Sequence, residues 1–254
     1  MDWFDLERAI FSLGRNYRRV NRAISLGLDV KIRRTGIIRA GIGEVVLDVG
    51  AGDGSLTSEI LTMSKSSFVV MLDPLRGMLE LAIKTMSREE AARTCPIVGI
   101  AEYMPLRPNS VDGVFMAFSL RDVIDLNRCL SSIKATLRAR GRLVVIDLGR
   151  PVSRLIFELT RIYWSRLAPV IATLRAGRPG RSVREILPSL DRLPTNPLMT
   201  GLLGEYFRLV WRKYYLFGAA QILVCQKESA LDTDEPIGRS SFITIRDERV
   251  MTGP

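Results

Sequence analysis

Histidine is absent from this chain of 254 residues, and cysteine is scarce. Without histidine there is no imidazole to act as a general base, and the commonest protein ligand of transition metals is missing. The three cysteines, Cys95, Cys129 and Cys225, lie far apart in the sequence. This scatter argues against a disulfide framework or a zinc site and fits a reducing cytosol. We therefore expect a cytoplasmic protein that holds no metal ion.

Long apolar runs are also missing. No stretch reaches the roughly 18 uninterrupted apolar residues of a membrane-spanning helix. The first residues, Met1 to Glu7, lack the basic start and apolar run of a secretory signal, so we expect none. Acidic residues are outnumbered: 37 lysines and arginines face 27 aspartates and glutamates, which leaves a net charge of +10. Such a charge suits an acidic partner, either nucleic acid or an anionic membrane surface, although many proteins are basic without one.

Three glycines at alternate positions separate an apolar run from an amphipathic segment. The run Val45–Val49 is predicted to be a strand, and Ser55 is predicted to be the N-cap of the helix that follows. Between them, Gly50, Gly52 and Gly54 permit positive φ and the close approach of a ligand to the backbone. The helix directs unpaired N–H groups toward the same place. This strand, turn and helix predict a site for a nucleoside-bearing cofactor.

Two acids narrow the choice of cofactor. Asp48 lies near the end of the first strand, and Asp73 follows Gly52 by about 20 residues, the position of the ribose-binding acid in nucleotide-binding units. The glycine spacing differs from the dinucleotide fingerprint, and the triphosphate-binding pattern is missing. S-adenosylmethionine fits, because its amino and sulfonium groups are positive and its ribose has two hydroxyls. We expect Asp48 to lie near the methionine amino group and Asp73 to accept hydrogen bonds from the ribose.

Short apolar segments alternate with helical ones over residues 44–148, which predicts an α/β fold with a mostly parallel sheet covered on both faces. The predicted strands are Val45–Val49, Phe68–Leu72, Pro96–Ile100, Gly113–Ala117 and Arg142–Leu148. A helix over Leu126–Leu137 is expected to stop near Gly141. Residues 206–226 predict an antiparallel hairpin at the sheet edge.

The flanking segments suggest three divisions of the chain. Residues 1–43 are predicted to be an N-terminal helical cap, with helix over 2–36. Residues 44–227 form the main domain, with a basic, amphipathic helical lid inserted at about 152–200. This lid is expected to close over an apolar substrate or to touch a membrane, but its periodicity equally fits a helix packed on its own core. The polar tail, residues 228–254, is expected to have little fixed structure apart from a short strand at 242–245.

Four segments of the chain resemble the ubiquinone/menaquinone C-methyltransferase family of class I S-adenosylmethionine-dependent methyltransferases. They are Val46–Leu56, Val70–Met78, Ala101–Asp112 and Phe118–Pro151, of which the last contains the more specific Leu-Arg-Asp-Val sequence. The resemblance implies a Rossmann-like, seven-stranded, mostly parallel sheet with an antiparallel edge hairpin. It also implies C-methylation of a prenylated quinol.

The resemblance assigns residues to roles. The cofactor-binding residues would be Asp48, Gly50, Ala51, Gly52, Asp53, Asp73, Pro74, Ala101 and Glu102. The catalytic residues would be Arg121, Asp122 and Tyr17. Arg121 would stabilise a phenolate, while Asp122, Tyr17 or a water held by Arg121 would take the proton. A purely structural ion pair between Arg121 and Asp122 is equally open.

The chain departs from the family at three positions that bear on the site. Ile100 stands where the family often has Asp or Asn beside the adenine, Asp122 replaces Asn, and Ser119 replaces Gly. The expected partner is an apolar small-molecule acceptor, with peripheral contact to the inner face of a membrane. RNA or another small molecule as acceptor, a non-catalytic cofactor-binding scaffold, and a homodimer are alternatives that the sequence leaves open.

Overall fold

Seven strands form one sheet in the computed structural model, which describes residues 17–176 and 186–229. The strands follow the spatial order β3-β2-β1-β4-β5-β7-β6. They are β1 (Val45–Val49), β2 (Phe68–Asp73), β3 (Thr94–Val98), β4 (Val111–Ala117), β5 (Leu137–Leu148), β6 (Arg208–Tyr215) and β7 (Ala220–Gln226). The first five strands are parallel, and β7 runs antiparallel between β5 and β6.

The predicted fold class is therefore confirmed, including the antiparallel edge hairpin. The helices are α1 (Tyr17–Ile24), α2 (Leu28–Ala40), α3 (Ser55–Met63), α4 (Arg76–Thr85), α5 (Arg88–Ala92), α6 (Leu126–Thr136), α7 (Arg154–Ile162), α8 (Ala168–Ala176), α9 (Ile186–Arg192) and α10 (Asn196–Gly204). A π-helical turn, Tyr163–Leu167, joins α7 to α8. None of the helices in the described part of the chain is long and apolar enough to cross a bilayer.

Both faces of the sheet are buried under helices. Neighbouring residues of a strand point to opposite faces, so they belong to different core clusters. Val46 of β1 packs in the core cluster that includes α2 and α3, whereas Leu47 packs in the cluster that includes α6. Val144 and Val145 of β5 divide in the same way. Helix α2 lies so close to the sheet at Gly36 that a Cβ there would come within 2.8 Å of the Ile146 Cδ1 atom. The absence of a side chain at Gly36 therefore permits this approach.

The strand order reverses beside β1, which lies between β2 and β4. From β1 the chain continues toward β2, and from β4 it continues toward β5 on the other side. In open parallel sheets, ligands bind in the crevice that such a reversal leaves at the carboxyl ends of the strands. The glycine loop after β1 and the turn after β4 therefore lie on two sides of one crevice.

The boundary between α6 and β5 differs from the prediction. The helix ends at Thr136, and the chain is already extended at Leu137, which is fully buried in the core. Packing of Leu137 therefore stops the helix before Gly141. Gly141 lies inside β5, where a Cβ would approach the carbonyl oxygen of Arg138 to 2.8 Å.

Strand β3 and helix α5 are the other corrections in the sheet region. Strand β3 begins two residues earlier than predicted, because it pairs in register with all but the first residue of β2. Helix α5 was not predicted, although its signal is present. Ser87 and Glu90 form a capping box, in which each side chain accepts a hydrogen bond from the backbone N–H of the other.

The N-terminal helix predicted over 2–36 is broken between α1 and α2. Leu26 and Gly27 adopt φ of 53° and 77°, which interrupts the helical path. The predicted helix over residues 2–16 lies outside the described residues. So do residues 177–185 of the insertion and the predicted tail strand at 242–245.

Helices α7 to α10 form the insertion between β5 and β6. Helix α8 packs on α1 through Ala168 and Ala172, which meet Val20 and Ile24. The apolar side chains exposed on α7, the π turn and α8 are Leu155, Leu159, Ile162, Leu167, Val170 and Leu174. The alternative of an apolar face packed on its own core is therefore wrong for these six side chains.

Candidate functional site

A cavity of about 710 Å³ opens at the carboxyl ends of the parallel strands. Its walls come from the glycine loop, the α1–α2 junction, the turn after β4 and the insertion. Eleven of the twelve predicted site residues line it: Asp48, Gly50, Ala51, Gly52, Asp53, Asp73, Pro74, Ala101, Glu102, Arg121 and Asp122. The twelfth, Tyr17, is the first residue of α1, and its side chain is not among those described. The roles of all twelve stay predictions.

The glycine loop adopts the backbone conformation for which glycine is needed. Gly50, Gly52 and Gly54 have φ of 70°, 54° and 74°. The N–H groups of Gly50 and Ala51 both donate to the Leu72 carbonyl, at 2.8 and 3.1 Å, which ties the loop to β2. These positive φ values turn the backbone from β1 toward α3, and Gly50 to Asp53 line the cavity.

The start of α3 differs from the prediction that Ser55 is its N-cap. Gly54 occupies the N-cap position, and Ser55 is the first residue of the helix. The Asp53 Oδ1 atom supplies the acceptor instead, receiving the Ser55 N–H at 3.2 Å and the Ser55 hydroxyl at 2.6 Å. The Asp53 Oδ2 atom lies 3.4 Å from Arg18 Nε. The carboxylate of Asp53 thus accepts hydrogen bonds from the first residue of α3 and also contacts Arg18 of α1.

Asp73 joins the two loops that frame the cofactor side of the cavity. Its Oδ2 atom accepts the Gly52 N–H at 2.8 Å, and its Oδ1 atom accepts the Leu75 N–H at 2.8 Å. Burial raises the pKa of Asp73, and the two backbone donors oppose that rise. A carboxylate oxygen can accept more than one hydrogen bond, so the two oxygens of Asp73 can also accept hydrogen bonds from ligand hydroxyls.

Asp48 is 1% exposed and incompletely satisfied. Its Oδ2 atom accepts the Thr57 hydroxyl at 2.6 Å, whereas Oδ1 has no hydrogen-bond partner among the described residues. Burial raises the pKa of Asp48 to about 7, against the hydrogen bond from Thr57 and the positive charge of Arg33. A buried carboxylate with a free oxygen favours a cationic ligand group.

Glu102 lies at the cavity, but one oxygen of its carboxylate holds the protein backbone. Its Oε1 atom accepts the N–H groups of Ile124 and Asp125, at 2.8 and 3.3 Å. The carbonyl of Glu102 accepts the Ser132 hydroxyl at 3.1 Å. The neighbouring Ile100 contributes an apolar side chain to the cavity wall, where a flat, apolar ring face would pack.

Arg121 and Asp122 lie in a 3₁₀ turn that follows β4. The Asp147 carboxylate accepts the Arg121 Nη1–H at 2.7 Å and the Arg121 backbone N–H at 3.2 Å. Asp122 is farther away, with 3.9 Å between its Oδ1 atom and Arg121 Nε. Burial raises the pKa of Asp122, and Asp147 adds to the rise while Arg121 opposes it.

Sequence reasoning missed three charged residues of the site. Asp147 sits near the carboxyl end of β5, as Asp48 does in β1, and that position was its signal. Asp29 and Arg33 line the same cavity from α2. They gave no signal of their own, because Arg33 is one of many arginines in the N-terminal segment and no local motif marks it.

Substituting Gly50 tests the loop. A Cβ at Gly50 would lie 2.4 Å from the Ser119 Cβ atom and 2.9 Å from its Oγ atom. We expect Gly50→Ala to destabilise the fold by about 2–5 kcal/mol, since overpacking and left-handed strain add. In the double variant with Ser119→Gly, the collision is removed, and only the conformational cost of roughly 1–2 kcal/mol should remain. Urea unfolding of the wild type, the single variants and the double variant measures this coupling, and strictly additive effects would contradict the contact.

The donor set fits S-adenosylmethionine. A cofactor ammonium would satisfy the free oxygen of Asp48, and its ribose hydroxyls would find the carboxylate of Asp73 beside the Gly52 backbone. No phosphate-binding glycine pattern or lysine is needed. This is the kind of ligand that the sequence predicted for the glycine loop.

Comparison with known proteins gives a family. The model of the ubiE/COQ5 methyltransferase family matches residues 6–220. Ubiquinone/menaquinone biosynthesis C-methyltransferase UbiE of Geobacter sulfurreducens is 32% identical over 172 residues, covering 66% of this chain and 67% of that protein. Demethylmenaquinone methyltransferase of Mycobacterium marinum is 29% identical over 177 residues, covering 69% and 73%.

Solved structures agree on the fold. A SAM-dependent methyltransferase from Aquifex aeolicus superposes with a TM-score of 0.53 at 16% identity, covering 77% of this chain and 89% of that one. The [4+2]-cyclase SpnF superposes equally well, with a TM-score of 0.53 at 14% identity over 78% and 81%. Since such distant likeness carries the fold alone, the sequence match decides the assignment. The resemblance predicted from four segments is confirmed, and the chain belongs to the ubiE/COQ5 methyltransferase family.

Proposed function

We propose that this chain transfers a methyl group from S-adenosylmethionine to a ring carbon of a prenylated quinol. One observation carries the proposal: a single cavity joins the glycine loop and Asp48 to the pair Arg121 and Asp122, and then opens between apolar side chains. The names of the curated relatives, which act in menaquinone and ubiquinone biosynthesis, support this acceptor class.

The cofactor supplies an electrophilic methyl group on a sulfonium. The chain would hold it through Asp48 at the amino group, Asp73 at the ribose and the Gly50 and Gly52 backbone beside them. Positioning of this kind can supply roughly 7–11 kcal/mol of a barrier, because it replaces the chance encounter of two reactants.

The acceptor must lose a proton before its ring carbon becomes nucleophilic. We assign that proton to the Asp122 carboxylate, whose raised pKa makes it a stronger base than an exposed aspartate. The Arg121 guanidinium, held by Asp147, would stabilise the phenolate that remains. After the new carbon–carbon bond forms, the ring carbon releases its hydrogen as a proton to water, aromaticity returns, and the ring oxygen takes its own proton back from Asp122. One methyl group is thus exchanged for one proton.

The function is tested by supplying reduced demethylmenaquinone and S-adenosylmethionine carrying a labelled methyl group. We expect label in the lipid fraction, and mass spectrometry should place one methyl group on the quinone ring. Total RNA in a parallel reaction tests the alternative acceptor, for which binding would weaken with salt. Label in RNA alone would replace the quinol proposal. Cofactor binding without transfer to any acceptor would favour the scaffold alternative.

Asp122 should give the reaction its pH dependence. A base whose pKa is raised by burial is lost to protonation at a higher pH than an exposed aspartate. We therefore expect kcat/KM to fall as pH drops through that raised pKa. In Asp122→Asn, kcat should fall by about 100-fold, the lower end of general-base effects, and the acid limb should disappear. Glu80→Gln, at an exposed carboxylate of α4, is the control. An unchanged pH profile in Asp122→Asn would remove Asp122 as the base.

The mouth of the cavity is apolar, as a prenyl chain requires. Side chains from three segments line it: Leu26 between α1 and α2, Leu159 and Trp164 in the insertion, and Leu216 and Phe217 before β7. Leu26 is 72% exposed and Phe217 is 88% exposed. Exposed apolar side chains that are contiguous with a cavity mark the contact with an apolar partner.

We extend the proposal to peripheral contact with an anionic bilayer through this mouth. The exposed apolar side chains of α7, the π turn and α8 are interspersed with the exposed arginines Arg154, Arg166 and Arg175. Apolar residues flanked by cations suit the boundary between acyl chains and negative headgroups. A prenylated acceptor could then enter the cavity without passing through water.

Phe217 tests the bilayer contact. We expect Phe217→Ser to weaken binding to phosphatidylcholine–phosphatidylglycerol vesicles by about 10-fold or more, since a buried phenylalanine contributes roughly 1.5–3 kcal/mol. Phe68→Ser is the matched control, because Phe68 is 39% exposed and lies at the amino end of β2, away from the cavity at the carboxyl ends of the strands. Wild-type binding, followed by vesicle flotation, should weaken as salt rises. Equal loss in both variants, or binding that ignores salt, would contradict the proposed orientation.

A further inference from the structure

A second charged group lines the cavity beside Asp48. Ser25, the residue that follows α1, donates its hydroxyl to the Asp29 Oδ1 atom at 2.8 Å. Arg33, one turn further along α2, donates from Nη1 to the Asp29 Oδ2 atom at 2.8 Å. Asp29 and Arg33 are 5% and 7% exposed, although such pairs on one helix are usually at the surface. All three residues line the cavity.

The guanidinium of Arg33 has hydrogen-bonding capacity that the protein leaves unused. Its Nε atom is buried and has no hydrogen-bond partner within the described part of the chain. The Arg33 Cζ atom lies 5.4 Å from the centre of the Phe118 ring, whose face holds the group without accepting a conventional hydrogen bond. A buried guanidinium with several N–H donors and one carboxylate partner can accommodate a second anion.

Arg33 and Asp48 lie close enough for their charges to interact. The positive charge of Arg33 lowers the pKa of Asp48, against the larger effect of burial. Both residues line the cavity near the glycine loop. The cavity lining thus includes one cation, Arg33, and one carboxylate, Asp48, whose charges interact.

We infer that Arg33 binds the α-carboxylate of S-adenosylmethionine while Asp48 binds its α-ammonium group. This inference rests on the proposed cofactor of the same site. The two charged groups of the ligand would then match two opposite charges of the cavity, which leaves neither Arg33 Nε nor Asp48 Oδ1 without a partner. Asp29 acts as a positioning residue, since it fixes Arg33 and is itself fixed by Ser25.

The backbone also supports this assignment. Gly36 seats α2 against β5, since a Cβ there would collide with Ile146. The turn at Leu26 and Gly27 separates α1 from α2, and Leu28, Asp29, Ile32 and Arg33 in the first turns of α2 line the cavity. A purely structural pair between Asp29 and Arg33 would need neither this burial nor the open donors beside Asp48.

The decisive experiment compares two ligands on the same protein by titration calorimetry. One is S-adenosylmethionine, and the other is decarboxylated S-adenosylmethionine, which lacks only the carboxylate. We expect the wild type to bind the decarboxylated ligand about 10–100-fold more weakly, the range for a lost hydrogen bond to a charged group. In Arg33→Gln, affinity for S-adenosylmethionine should fall to a similar level, and the preference between the ligands should largely disappear.

Arg34→Gln is the matched control. Arg34 is the next residue of the same helix, is 55% exposed and pairs with Glu59 at 2.6 Å. We expect this variant to keep the wild-type preference. Because Arg33→Gln leaves Asp29 buried without its partner, the double variant Asp29→Asn with Arg33→Gln removes both charges and should show the same loss of preference. Circular dichroism and thermal unfolding confirm that each variant is folded.

The outcomes separate this inference from the proposed function. Equal binding of the two ligands by the wild type would overturn the role of Arg33 and leave the methyltransferase proposal intact. Retention of the preference in a folded Arg33→Gln would do the same. Failure of the wild type to bind S-adenosylmethionine at all would overturn both.

Discussion

Replacing Asp73 with alanine should abolish measurable binding of S-adenosylmethionine. The carboxylate of Asp73 holds the Gly52 and Leu75 N–H groups on two loops, and both would lose their acceptor. The proposed hydrogen bonds to the ribose would be lost as well. Hydrogen bonds to a charged group contribute about 1.5–3 kcal/mol each, so affinity should fall by about 100-fold or more. Titration calorimetry of the cofactor into both proteins measures the loss.

Asp112 provides the matched control for Asp73. It is also an aspartate that accepts a backbone N–H, that of Val45 at 2.9 Å, but it lies at the amino ends of the strands. Asp112→Ala should lower thermal stability while leaving cofactor affinity within about threefold, because Asp112 is not part of the cavity lining and bonds Val45 and Arg138 at the other end of the sheet. If Asp73→Ala binds the cofactor as tightly as Asp112→Ala does, the predicted role of Asp73 is wrong.

Replacing Asp48 with asparagine should stabilise the free protein at pH 8 and at the same time remove cofactor binding. The folded protein raises the pKa of this carboxyl from its usual 3.8 to about 7. An acid with a raised pKa stabilises the fold only while it is protonated, so the wild type should lose stability as pH rises from about 4 to about 7. Asparagine carries no charge to bury and avoids that loss.

The size of the effect follows from the same numbers. The difference between 3.8 and about 7 corresponds to roughly 4 kcal/mol as an upper limit, and relaxation of the site will reduce it. Urea unfolding at pH 5 and pH 8 should show a gain for Asp48→Asn that grows with pH. Thr57→Val, which removes the hydroxyl donor to Asp48, should shift the wild-type profile to higher pH. A pH-independent difference between wild type and Asp48→Asn would contradict the raised pKa.

The Asp48 carboxylate is thus expected to lower the stability of the fold and to be required for cofactor binding. A residue that lowers stability and yet is required for binding is expected where a protein maintains a charge for a ligand. The cofactor ammonium should restore the Asp48 carboxylate to its charged form, so binding near pH 6 should release a proton. Calorimetry of the wild type in buffers of different ionisation enthalpy would record that proton.

The residues that the sequence assigns to the cofactor line one cavity, because their signals are local. The glycine loop, Asp48 and Asp73 belong to one strand–turn–helix–strand unit, where spacing along the chain fixes spacing in the fold. Arg33 and Asp147 come from α2 and β5, and their approach to this unit depends on the packing of the whole sheet. Nothing in the residues around Arg33 distinguishes it from Arg34, which faces solvent.

Other differences have the same origin. Ser55 has the right residue type for an N-cap, but Gly54, with positive φ, occupies that position, and the Asp53 side chain accepts the Ser55 N–H. Leu137 continues a helical pattern, but burial in the sheet makes it the start of β5. The insertion carries helical periodicity, which predicts its helices but not which face is covered. In each case the local sequence pattern allowed more than one structure, and the packing of distant residues determined which of them formed.

The antiparallel pairing of β5 with β7 has a consequence for how this enzyme could change its acceptor. Leu148 pairs with Ala220, so the chain leaves the sheet and returns to it at almost the same point. Between them, residues 149–219 include helices α7 to α10 and the edge strand β6, and both ends of this excursion are fixed by the sheet. The entropy of closing such an excursion grows only slowly, by about 0.6 kcal/mol for each doubling of its length. Insertions, deletions and exchanged helices can therefore accumulate there at little thermodynamic penalty, while the cofactor loop on the far side of β1 remains unaltered. Selection for a new acceptor can act on one segment of the gene without redesigning the rest.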